Sequence, residues 1–335
     1  MKLKEMIDND DIEESEAKIG YVGAFPYAEV ISGYTAFYLG VKSIVDSVKM
    51  KVRYTNSWYD EELEKEAAEK LIDEDGCKII SQHADSSGAP SVCEEKSVPN
   101  VFYNGENPTL TKSYLISSRI NWRPYFEYFI QSALDGTEMD PDWTGTLEDG
   151  SVEVYNASSL AATGTQDAVD TAISDLKAKN IKVFDTSKFT VNGTTLTSYM
   201  ADVDTDANFE GDTEAISDGY FHESEYRSAP YFDIIVDGIE IIEEESESSS
   251  ESTNQTSFNT FNVNKKGGLS TGGIIGVTIP LVAVAVVAAV AAVIGGTAGG
   301  VAGVAAGSAG AVGGTTTVNN ASVVNASVHK MIVKT

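Results

Sequence analysis

The apolar positions of the first 135 residues switch repeatedly between two periods. Lys18–Gly23 (KIGYVG) reads as a short buried strand. Ala28–Val48 follows with Val30, Tyr34, Phe37 and Val41 at helical spacing. Met50–Tyr54 alternates as a strand. Asp60 stands where a helix N-cap belongs, with Glu61 and Glu62 in the first turn, where carboxylates complement the helix dipole. Leu63, Ala67 and Leu71 mark the inner face of that helix, and Gly76 ends it. Cys77–Gln82 is the next strand, Pro90–Lys96 a short helix, and Asn100–Tyr103 another strand. Leu115–Ser118 and Pro124–Leu134 add a further strand and helix. The rhythm predicts an α/β fold with a doubly wound parallel sheet and right-handed crossovers. Later, the pattern predicts a helix near Gln166–Lys179, a hairpin turn at Asn192-Gly193, and strands at Ile181–Phe184 and Tyr231–Val236.

The pattern changes after residue 242. Residues 243–272 open as EEESESSSES and hold few aliphatic side chains, so they read as a disordered stalk. Gly273–Ile294 is 22 residues without a charged or amide side chain. At about 1.5 Å per residue it would cross a hydrocarbon core of roughly 30 Å, so it reads as one C-terminal transmembrane helix. Residues 295–335 form a Gly/Ala-rich tail. In it Gly295, Gly299, Gly303 and Gly307 recur every fourth residue, a spacing that suits self-association in lipid.

Charge sharpens this division. The chain has 335 residues and a net charge of −28. All 51 Asp and Glu lie in the first 251 residues, where they face 19 Lys and Arg. A body that acidic is repelled by phosphate backbones, which excludes sequence-independent nucleic-acid binding. Cys77 and Cys93 are too few for a four-thiolate metal site and read as buried thiols. His83 and Asp85, two apart at a strand end, have no evident third partner for a metal, so neither metal nor cofactor is expected. Gly268-Leu269-Ser270-Thr271-Gly272 matches a nucleophile elbow but lacks the strand before and helix after that the chemistry needs. Glu223 and Glu225 beside His222 read as solvated. No enzyme activity is expected.

In an open parallel sheet, ligands bind beyond the carboxyl ends of the strands. Those ends hold Phe25; Asn56 and Trp58; His83 and Asp85; Asn104; and Asn121 and Trp122. Aromatic planes with amides and a carboxylate at their rim are what a planar heterocycle requires.

The same stretches resemble the basic membrane protein family, substrate-binding lipoproteins of ATP-driven importers whose best understood members bind purine nucleosides or bases. The runs that carry the resemblance are KIGYVGAFPYAEVISGYTAFYLG, TNSWYDEELEKEAAEKLI, ISQHADSSGAP, YNGENP and SSRINWRPYFEY, with DWTGTLEDGSVEV and DGYFHESEYRSAPYFD beyond them. The resemblance implies a periplasmic-binding-protein type I-like fold over residues 1–242, two lobes closing on a ligand, and an ABC permease as partner. It places Trp58 in the stacking position and Asp85 in the loop after the third strand. Asn104 and Asn121 stand where nucleoside-binding members carry an Asp and a Lys. Both changes remove a charged ribose-gripping group, so a purine base such as adenine is favoured over a nucleoside. The family's opening segment has no counterpart before Met1. Residues 18–115 are therefore expected as the second lobe and 116–242 as the return segment of an incomplete first lobe. A single-pass membrane protein with an extracellular binding domain is the expectation. The alternative is a surface display or adhesion protein that uses the domain as a scaffold.

Overall fold

The computed structural model describes residues 1–84, 86–140, 142–204 and 210–243. The stalk, the apolar span at 273–294 and the Gly/Ala tail lie outside the described residues, as does Asp85. Among the described residues no helix is long and apolar enough to cross a membrane.

The chain opens with a short helix, α1 (Lys2–Asp8), and a single 3-10 turn at Glu14–Glu16. Five strands then follow, the first four separated by helices: β1 (Lys18–Gly23), α2 (Ala28–Lys42), β2 (Lys49–Tyr54), α3 (Glu61–Asp73), β3 (Ile79–Gln82), α4 (Gly88–Lys96), β4 (Asn100–Phe102) and β5 (Tyr114–Ile120). Next come α5 (Arg123–Asp135), β6 (Val152–Val154) and α6 (Thr165–Lys177). Four two-residue strands are β7 (Met200–Ala201), β8 (Thr213–Glu214), β9 (Ile216–Ser217) and β10 (Tyr220–Phe221), and β11 (Ile239–Ile241) closes the described chain.

Seven strands form one sheet in the order β11-β2-β1-β3-β4-β5-β6. Six run parallel, and β6 pairs antiparallel with β5 at one edge. This is the α/β, doubly wound, mainly parallel architecture that the alternating periods predict. Segments on both sides of residue 115 share the sheet, because β6 and β11 hydrogen-bond to β5 and β2.

The two faces of the sheet are covered differently. One apolar cluster joins Leu3 of α1, Val30, Tyr34 and Phe37 of α2, and Val169 and Ala172 of α6 to Ile19, Val52, Val101 and Ile116 of the sheet. The other joins Ala67, Ala68 and Leu71 of α3 and Val92 and Cys93 of α4 to Val22 and Ile80. Cys77 and Cys93 are both free and buried there, and burial pushes each thiol up to about 12.

Local signals place α3. Asp60 accepts from the backbone N–H of Glu62 and of Leu63, both at 3.1 Å, and satisfies two of the orphan donors of the first turn. Gly76 takes φ +73° just past the helix, the left-handed region that a residue without Cβ enters freely. Asn192 and Gly193 have φ of 51° and 75° and turn the chain between the bridged residues Val191 and Thr194. That is the signature of a primed hairpin turn.

Four expectations are corrected. The second helix stops at Lys42 rather than Val48, and Leu63 is 41% exposed rather than inward. Ile181–Phe184 and Tyr231–Val236 are not strands. Both are apolar runs that pack as irregular chain: Phe184, Tyr231, Phe232 and Val236 are buried in the main cluster. A short apolar run reports burial and leaves open which backbone achieves it.

Candidate functional site

Strand order reverses between β1 and β3, which makes the carboxyl ends of those strands the topological switch point of the sheet. Aromatic side chains from four consecutive strand ends meet there. The Tyr27 ring stacks on Phe25, centroids 5.2 Å apart and 15° from parallel. Phe25 lies 5.1 Å from Trp58, and Trp58 lies 6.1 Å from the His83 ring. His83 in turn stacks on Tyr103 at 5.6 Å. The row grades from open to closed: Tyr27 is 53% exposed, Phe25 and Trp58 are half-buried, and His83 and Tyr103 are buried. A planar ligand entering at the open end meets π-faces of the size that such rings recognise.

The start of α2 faces the same point. Its N-cap residue is Tyr27, and no side chain caps it, so its first-turn N–H groups present the positive end of a helix dipole to the switch point. Glu29, in that first turn, is buried. Its Oε1 lies 3.6 Å from Nε2 of His83, and among the described residues neither carboxyl oxygen of Glu29 has a hydrogen-bond partner. The other ring nitrogen of His83 lies 3.2 Å from the hydroxyl of Tyr21. Sequence reading missed Glu29, because an acid at that position reads as an ordinary favourable charge on a helix start.

A second buried carboxyl holds the loops that carry the row. Glu64 accepts from the backbone N–H of Asp60 at 3.2 Å and from the hydroxyl of Ser86. One side chain of α3 thus ties the β2–α3 loop, which bears Trp58, to the β3–α4 loop. Burial raises the pKa of Glu64 above the ordinary carboxylate value, and the Ser86 hydrogen bond opposes that rise.

Of the eight site residues read from the sequence, Phe25, Trp58 and His83 come together in the row. Asn56 occupies the left-handed region at φ 53° in the loop before Trp58. Asn104 does so at φ 52° after β4, and its Oδ1 accepts from the Ile120 N–H at 3.2 Å. Asn121 is spent on the fold: its Nδ2 donates to the Gly150 carbonyl at 3.0 Å and to Glu153 at 3.1 Å, and its Oδ1 accepts from the Arg123 N–H at 3.2 Å. Trp122 belongs to a different aromatic group, with Tyr125 at 6.2 Å and Phe126 at 6.4 Å. Tyr27 and Tyr103 join the row although sequence reading did not select them; each follows or ends a strand beside a selected residue, which is the signal that was available. Among the described residues, no cluster of His, Cys, Asp and Glu is arranged to hold a metal ion.

A doubly wound sheet with an aromatic row at its switch point is the framework of a small-molecule-binding protein. Residues 14–187 match the Bmp family, ABC transporter substrate-binding proteins of the PnrA-like type, and the chain belongs to that family. One relative, from Haloferax volcanii, is named for ABC-transporter glucose binding; it is 37% identical over 135 residues, which is 38% of this chain and 33% of the relative. Another is a purine-binding protein of Brucella abortus, 32% identical over 131 residues, covering 38% of this chain and 37% of that protein. The chain thus matches about a third of the length of each of these relatives. Among solved structures, an ABC transporter solute-binding protein of Conexibacter woesei aligns with 50% of this chain and 56% of its own, at 18% identity and a TM-score of 0.42. A leucine-binding protein of Thermotoga maritima aligns with 36% of this chain and 38% of its own, at 17% identity and a TM-score of 0.27.

Proposed function

We propose that this substrate-binding protein takes a purine base, held at the carboxyl ends of β1–β4 against the Tyr27–Phe25–Trp58 end of the aromatic row. The observation that carries the reading is that group of rings: four strand ends deliver them to one place, with Tyr27, Phe25 and Trp58 mutually in contact at its open end. A flat heterocycle can stack on the exposed ring faces at that open end, and the uncapped start of α2 offers N–H donors to its ring nitrogens or carbonyls. The absence of an acidic ribose-gripping group at Asn104 favours a base over a nucleoside. The purine-binding relative supports the class of ligand. In this reading, residues 243–272 and 273–294 tether the domain to a membrane as a stalk and a single span, with the domain on the outer side, and an ABC permease receives the ligand. As in the family, the protein binds and delivers its ligand without transforming it.

The test is a thermal-shift series on the full chain with adenine, guanine, adenosine and glucose. A ligand that binds the folded state alone raises stability by about 2.7 kcal/mol at a hundredfold excess over Kd. The expected result is a rise with a purine base, a smaller rise with adenosine, none with glucose, and loss of the rise in Trp58→Ala. A shift with glucose alone, or a purine shift unaltered by Trp58→Ala, overturns the assignment.

A further inference from the structure

Away from the strand ends, a cavity of about 490 Å³ lies between the 144–148 loop, the end of α6 and β10. That volume falls within the range of small-molecule sites, roughly 300–1,000 Å³. Leu147, Phe184 and Phe221 give it apolar walls and are themselves buried.

Three lysines border it: Lys177 and Lys179, which are exposed, and Lys182, which is half-buried. This is notable in a chain with 51 acidic residues. Most other described lysines find carboxylates, as Lys42 does with Asp46 at 2.8 Å and Lys96 with Asp73 at 2.8 Å, whereas Lys18, Lys49, Lys112 and Lys188 do not. Among the described residues none of these three makes an ion pair. The Lys182 ammonium is instead held 4.0 Å over the ring of Tyr220, which also borders the cavity.

A fourth polar group is buried. Glu223 borders the cavity and is 4% exposed. Its Oε2 accepts from the Ser224 hydroxyl at 2.5 Å, and its Oε1 has no partner among the described residues. Burial pushes this carboxyl up to about 8, so near neutrality it carries its proton and is a donor. Two other carboxylates lie at the border. Glu225 is engaged by the His222 ring at 2.9 Å and by the Tyr220 hydroxyl at 3.1 Å, and Glu148 is exposed. The cavity therefore offers apolar walls and three lysines without a carboxylate partner. Its complement is a hydrocarbon body with an acceptor-rich anionic head.

We propose that this cavity is a second small-molecule site, for an amphipathic carboxylic acid whose body lies on Leu147, Phe184 and Phe221 and whose carboxylate is held by Lys179 and Lys182. The site is independent of the strand-end row, since no residue is shared.

Isothermal titration of the full chain with 2-naphthoate tests it, with 2-naphthalenemethanol as the uncharged control. Naphthoate is expected to bind once per chain, whether or not adenine is present, and to bind Trp58→Ala equally well. The alcohol is expected to bind roughly tenfold more weakly or worse, the worth of one charge-assisted hydrogen bond. Lys179→Met with Lys182→Met, both replacements that keep an apolar stem, should cost a similar factor for naphthoate while leaving the melting temperature and adenine binding unchanged. No binding of naphthoate, equal binding of the alcohol, or a double variant as tight as the parent each overturns the proposal. None of these results bears on the purine reading, which the adenine titration tests separately.

Discussion

Two carboxyls in loop segments had opposite fates. Asp60 caps α3 through contacts two and three residues away, and its role is written in its local neighbours. Glu223 reads as a solvated acid, yet it is 4% exposed, in a segment where the Tyr231 hydroxyl donates to the neighbouring His222 carbonyl. Asn121 shows the same limit: its type and position suggest a ligand contact, and only the placement of Gly150 and Glu153 reveals that its amide is already used. The burial of Glu223 makes stability depend on pH in a defined sense. Below its ordinary value of 4.5 the group is protonated in both folded and unfolded chains. Between 4.5 and about 8 the unfolded chain releases the proton and the folded chain keeps it. This group therefore lowers stability as pH rises through that window, by up to about 1.4 kcal/mol per pH unit, and stops doing so above it. Glu223→Gln removes the dependence. Urea unfolding of both proteins across the window should show the variant gaining on the parent steadily as pH rises. A constant difference would mean that the carboxyl is not held neutral.

At the scale of elements, β1–β5 and the helices between them were legible because each signal is local: an N-cap, a terminating glycine, a change of period. The edge strands were not. Ile239–Ile241 is three residues long, too short for periodicity, and becomes a strand because β2 offers an unpaired edge: the Met50 N–H donates to the Gly238 carbonyl at 2.9 Å and the Ile242 N–H to the Val52 carbonyl at 2.8 Å. The turn into β11 is set by Gly238, at φ +98°, where a Cβ would sit 1.9 Å from the Tyr38 hydroxyl of α2. Asp237 beside it accepts from the N–H of Asn192 at 3.0 Å and of Gly193 at 2.8 Å, so the predicted hairpin turn is stapled to the same point. Gly238→Ala therefore meets both a forbidden backbone region and a clash with a fully buried ring. A loss on the order of 2 kcal/mol is expected. Amide exchange should locate it, with protection lost first at Met50 and Ile242 while β3 and β4 stay protected. Uniform loss across the sheet would instead show that β11 is integral to the folding of the whole layer.

The whole molecule carries a charge that neither the core nor the site explains. Like charges at a net −28 repel one another in the compact state and less so when the chain unfolds. Ion pairs act in the opposite direction, and the two effects respond oppositely to salt. Pairs such as Lys65–Glu62 at 2.7 Å and Lys4–Asp8 are largely exposed at the carboxylate, and pairs of that kind contribute about 0–1 kcal/mol each. Screening them loses little. The excess of acids is spread over the body, where separations are comparable to the Debye length, which falls from ~30 Å at about 0.01 M salt to ~3 Å at about 1 M. Relief of repulsion should win, so the melting temperature is expected to rise with sodium chloride. Most of the rise should come by about 0.1 M, where the Debye length is already ~10 Å, because screening saturates whereas general salting effects continue in proportion to concentration. The rise should also shrink at a pH low enough to protonate the exposed carboxylates. A melting temperature that falls on adding salt would show that the paired charges, the largely buried Arg53–Asp75 pair among them, outweigh the unpaired ones.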